Sequence, residues 1–125
     1  MYNLVGQRAF FALWFEMVEL SEIIGFSDKI AKKFRPERII LFGSCASSES
    51  GPGSDVDMLV VLEFEGSGTE KAVEIIQKLK PDFPVDLIAR TPSQITDRLQ
   101  NGDFFIRNII EKGRLLYEVA YARMD

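Results

Sequence analysis

The sequence predicts an α/β (α+β) domain, a small mixed sheet flanked by helices. Three observations predict it. Short apolar runs of strand length alternate with longer stretches whose apolar residues recur at helical spacing. Turn residues punctuate most changes of pattern, as at Pro36, Gly51-Pro52-Gly53 and Gly66-Ser67-Gly68. A chain of 125 residues, 46% hydrophobic and 27% charged, suits one buried core rather than two.

Residues 1 to 20 read as an apolar helical extension, and residues 21 to 125 as the domain itself. The extension is apolar nearly all round, so it must be buried in the domain or in a partner. A start at Met17 is an alternative reading, and an exposed apolar N-terminus would favour a homodimer. From Ser21, Ile23, Ile24, Phe26, Ile30, Ala31 and Phe34 follow a helical period, which Pro36 stops. Arg38 to Phe42 is a buried strand, and Gly43-Ser44 turns the chain out of it. Asp55 to Phe64 reads as a long second strand. Thr69 is expected to cap a helix running to Leu79, with Val73, Ile76 and Leu79 on its inner face. Val85 to Ala89 is a third strand. Thr91-Pro92-Ser93-Gln94 has the form of a capping box with Pro at the first helical position. Asp103 caps a last helix that holds Phe104 and Phe105 in the core, Gly113 ends it, and Leu115 to Val119 adds a final strand.

Composition excludes several chemistries. The chain has no histidine and one cysteine, Cys45, so imidazole bases, His-based triads, thiolate zinc clusters and internal disulfides are out. Any metal must be a hard one on carboxylate oxygen, which favours Mg²⁺ or Mn²⁺. A net charge of −4 weighs against nucleic acid as the partner. The longest apolar run near the N-terminus, Ala9 to Phe15, is too short to span a membrane and makes a poor signal peptide, so the expected setting is the cytoplasm.

What remains is a constellation of acids beside a Gly-Ser turn. Asp55 and Asp57 stand two apart in a strand and project from one face. Unpaired, they repel each other, so a strand that begins with them calls for a cation. Asp86 is the only acid inside the third apolar run. Two metals about 3.5–4 Å apart clamp the attacking and leaving oxygens in nucleotidyl transfer, and three carboxylates can hold them. Gly43 lets the backbone approach a phosphate, where N–H groups and the Ser44 hydroxyl bind anionic oxygen. Cys45 reads as a small loop residue, and the lysines of residues 29 to 33 as a solvated helix face.

Gly43-Ser44, then Ser54-Asp55-Val56-Asp57 and the later Asp86, resemble the minimal nucleotidyltransferases of the DNA polymerase β superfamily. The resemblance runs from about Ile24 to Glu118, including a similar ending from Ile109 to Glu118. It implies the nucleotidyltransferase fold. It implies that Gly43 and Ser44 bind the triphosphate, that Asp55 and Asp57 ligate Mg²⁺, and that Asp86 completes the metal site or activates the acceptor hydroxyl. It also implies ATP as the substrate, and a HEPN-type helical protein as partner in a toxin–antitoxin pair, sometimes modified with AMP on a tyrosine. The chain departs from the family by lacking any cation between Gly43 and Asp57. The triphosphate must then meet metal, backbone dipoles, or Lys32, Lys33, Arg35, Arg38 or Arg90. The expected function is Mg²⁺-dependent transfer of AMP to a partner's hydroxyl. The alternative is a catalytically weak module that neutralises a HEPN protein by binding it.

Overall fold

The computed structural model describes residues 19–46 and 55–119. The extension expected at residues 1 to 20 lies outside them except for Glu19 and Leu20, which cap and open the first helix.

Helix α1 (Leu20–Phe34) starts with a capping box in which Glu19 and Glu22 each accept the other's backbone N–H. Ile23, Phe26, Ser27 and Ile30 form its buried face. It stops where Pro36 bars the preceding residue from helical geometry, and Arg35 turns out with φ of 49°. Strand β1 (Arg38–Phe42) leads into a single 3₁₀ turn at Gly43–Cys45. Strand β2 (Val56–Val61) is shorter than its apolar run suggests. Helix α2 (Gly68–Leu79), strand β3 (Val85–Arg90), helices α3 (Pro92–Gln100) and α4 (Phe104–Lys112) and strand β4 (Arg114–Glu118) complete the order.

The sheet runs β3-β2-β1-β4. β1 is antiparallel to both β2 and β4, while β2 and β3 are parallel and joined by the α2 crossover. One face, with Ile39, Leu41, Met58 and Val60, packs on Ile23, Phe26 and Ile30 of α1 and Ile75 of α2. The other, with Ile40, Leu59 and Val61, packs on Ile95 of α3 and Ile106 and Ile109 of α4. Helices on both faces of a mixed four-stranded sheet are the α/β arrangement that the pattern predicted. Among the described residues no helix is long and apolar enough to cross a membrane.

Three local expectations need correction. Ser67 rather than Thr69 caps α2, its hydroxyl accepting the Glu70 N–H at 3.0 Å. Ser67-x-x-Glu70 has the spacing of a cap signal, and it was masked by the two flanking glycines. With that start, Ile75 faces the core and Val73 is 47% exposed. Phe104 is 84% and Phe105 48% exposed, because Ile106 and Ile109 occupy the sheet-facing side of α4. The caps at Thr91 and Asp103 form as expected, accepting the N–H groups of Gln94 and Ile106.

Candidate active site

Strand register sets the site. Phe42 of β1 lies opposite Asp57 of β2, and Asp57 lies opposite Asp86 of β3. Opposed residues share a face, and Phe42 belongs to the cluster under α3 and α4. The acids therefore stand on that face at the rim of the sheet. Phe105 meets the Phe42 ring edge-on, with centroids 5.7 Å apart. Asp55 sits just ahead of β2 and is exposed; Asp57 is half-buried and Asp86 exposed.

Gly43 leaves β1 with φ of +73°, a conformation that costs a side chain about 1–2 kcal/mol. A Cβ there would also collide with the Asp57 carboxylate, whose Cγ would lie 3.2 Å away. Glycine thus lets the turn's backbone sit directly against the acid. The Cys45 thiol donates to the Asp55 carbonyl at 3.5 Å, tying the turn to the chain entering β2. After Phe42 the chain makes a single 3₁₀ turn, Gly43–Cys45, within the described residues, so its backbone dipole is small.

Burial pushes the Asp57 carboxyl above the usual carboxylate range, and the charges of Asp86 and Asp55 push it further. The Cys45 thiol is raised by burial and then by Asp57 and Asp55, which opposes a thiolate and fits a structural role. Among the described residues the ion pairs, Lys71 and Lys78 with Glu74, Arg98 with Asp103 and Arg107 with Glu111, leave these three acids without a basic partner.

These features test the fit of a cation. The Asp57 carboxylate senses the charges of Asp86 and Asp55, and the donor atoms of the three acids are all hard oxygen, which suits Mg²⁺ or Mn²⁺ and not a soft metal. Among the described residues the acids are not gathered into a closed cluster of three. The donor chemistry fits a divalent ion bound with water and substrate oxygens better than an all-protein cage.

The nucleotidyltransferase domain family matches residues 23–116, which takes in both strands of acids and the Gly-Ser turn. The chain belongs to that family. This nucleotidyltransferase is 30% identical over 103 residues, 81% of its length and 100% of the relative's, to a Methanocaldococcus jannaschii protein named "Putative protein adenylyltransferase". Its fold is similar to that of a "putative nucleotidyltransferase" from Sulfolobus solfataricus, with a TM-score of 0.56 and 19% identity, covering 79% of each chain. A mutant of the toxin-antitoxin MntA-HepT gives a TM-score of 0.52 and 19% identity over 86% of this chain and 79% of that one. At such identity the two structures speak for the fold. The expected family, fold and enzyme class hold.

The nucleotidyltransferase differs from expectation in where its cations stand. Arg38 and Arg90 both pair with Val61, at the opposite end of the sheet from Asp57. Four residues of strand separate them, about 13 Å. Lys32, Lys33 and Arg35 lie at the end of α1 that leads into that same far end. Arg114, opposite Leu41, is nearer by register but on the other face. The Phe42–Phe105 wall was not anticipated. Its only signal was an aromatic residue directly ahead of Gly43.

Proposed function

We propose that this nucleotidyltransferase transfers AMP from ATP to a hydroxyl of a partner protein, with Mg²⁺ or Mn²⁺, in the cytoplasm. The observation that carries the reading is the register that sets Asp57 beside Asp86 with Gly43 packed against the Asp57 carboxylate. A relative named for protein adenylylation supports the acceptor class. In this reading Asp55 and Asp57 hold the divalent ion, which neutralises phosphate charge when bound. Gly43 and Ser44 orient the triphosphate, and the Phe42–Phe105 pair excludes water on one side.

Asp86, exposed beside Asp57, also contacts the ion or takes the proton of the acceptor hydroxyl. The acceptor oxygen forms a bond to the α-phosphorus. The bond from that phosphorus to the bridging oxygen breaks, and pyrophosphate leaves with its electron pair. The partner we favour is a HEPN-type helical protein, with this chain as its antitoxin, in keeping with the toxin-antitoxin likeness of the fold. Residues 21 to 125 make up the catalytic domain.

One observation favours a second reading. Arg38 and Arg90, two of the cations expected to meet the triphosphate, stand at the far end of the sheet. That suits a module that binds its partner and turns over slowly. Incubation with Mg²⁺, α-labelled ATP and an extract of the source organism separates the two. A protein band labelled by wild type and absent with Asp57→Asn is the expected result. No label, with equal neutralisation of the partner by both proteins, would establish the binding module.

A further inference from the structure

β3 is an edge strand, paired among the described residues with β2 alone. Its hydrogen bonds show which backbone groups are already used. Val56 N–H donates to the Pro84 carbonyl and Leu62 N–H to the Arg90 carbonyl, each at 3.0 Å. In a parallel ladder alternate residues bond to the same neighbour, so Asp86 and Ile88 also turn their backbone toward β2. Val85, Leu87 and Ala89 turn theirs outward.

At the Arg90 end the edge is closed. The Arg90 guanidinium donates to the Ala89 carbonyl at 2.8 Å, and Gly68 packs so tightly on that carbonyl that a Cβ would collide with it. Such blocking is how proteins shield an edge strand. Toward Asp86 the edge is open. The N–H and C=O groups of Val85 and Leu87 have no partner among the described residues. A cavity of about 450 Å³ runs beside them, walled by Ala72, Val73 and Ile76 of α2, with Asp86 on its rim.

The open edge and the acids are thus one continuous surface. Building on the adenylyltransferase reading above, we infer that the acceptor is an extended polypeptide segment that adds to β3 as a fifth strand. A strand about 4.8 Å beyond β3 sets one residue directly beside Asp86 and on the same face. That residue continues the row Phe42, Asp57, Asp86, and its hydroxyl reaches the acids. The residues before and after it point to the opposite face, into the groove between Val73 and Ile76. The substrate class is therefore a strand reading apolar, then Tyr, Ser or Thr, then apolar. Main-chain hydrogen bonds supply affinity and the groove supplies selectivity.

The test is amide exchange by NMR on the full chain with the peptide acetyl-Thr-Val-Tyr-Val-Thr-amide. The control is the same peptide with its Val and Tyr amides N-methylated. Slowing by about tenfold or more at Val85 and Leu87, with the unmodified peptide only, is the expected result. The same slowing is expected in Asp57→Asn, and Val73→Lys should weaken binding about tenfold. Unchanged exchange at these amides, or equal slowing by the N-methylated peptide, overturns the inference. So do amides already slow in the free protein, which would mean that a second copy or another stretch of the chain covers the edge. Mass spectrometry of the peptide after incubation with ATP keeps the two readings apart. Edge protection without AMP transfer counts against the transferase reading, and transfer without edge protection counts against the fifth strand alone.

Discussion

The two ends of β2 sit one residue apart in sequence and obey opposite rules. From Met58 to Val61 every residue is 0% exposed and packed between helices on both faces. At Asp57 the same strand carries a half-buried carboxylate whose ionisation is opposed by burial and by two neighbouring acids. The buried end holds the strand in register against β1 and β3. The rim end uses that register to keep like charges side by side, which no isolated turn would do. A site under electrostatic tension thus depends on a core that is not.

The comparison breaks first at Asp57. Asp57→Asn is expected to lower transfer by about 10³-fold while removing a charge that the folded state disfavours. A raised folded pKa means that ionisation costs more in the folded chain, so the penalty is present above that pKa and fades as pH falls through it. The variant should therefore melt no lower than wild type near neutral pH. Retained transfer, or a lower melting temperature, would contradict this account of the rim.

Leu59→Ala attacks the other end. Urea unfolding should show a loss of about 2–5 kcal/mol, with the rate per folded molecule little changed. If that rate fell as far as in Asp57→Asn, the two ends would not be separable. Gly43→Ala lies between them. The backbone alone should cost about 1–2 kcal/mol. Transfer should fall further than stability does, because the new Cβ displaces the Asp57 carboxylate. Stability and activity falling in proportion would show that Gly43 serves only the turn.

The smallest effect sharpens the contrast between acids. Asp103 is held below the usual carboxylate range by the Ile106 N–H and by Arg98. Its charge contributes stability above the unfolded pKa, about 3.9, and that contribution is lost as pH falls through the folded value. Asp103→Asn keeps a cap acceptor and loses the charge. Wild type should melt slightly higher than the variant at pH 7, and the two should converge in acid. A gap that widens in acid would reverse the assigned sign.

By itself the sequence determined the parts that local chemistry decides. The strand at Arg38 to Phe42, the caps at Thr91 and Asp103 and the family resemblance all follow from spacing within a few residues or from motif. It also named Asp55, Asp57 and Asp86 as the acids worth watching. Only the tertiary structure set Asp57 beside Asp86, because a strand's partner and register come from distant pairing that periodicity does not encode. Only it placed Arg38 and Arg90 at the far end of the sheet, turned Phe104 to solvent and, among the described residues, left the β3 edge open beside Asp86. Helical and strand periods say that a side is buried, while the packing of the other elements decides which side and against what.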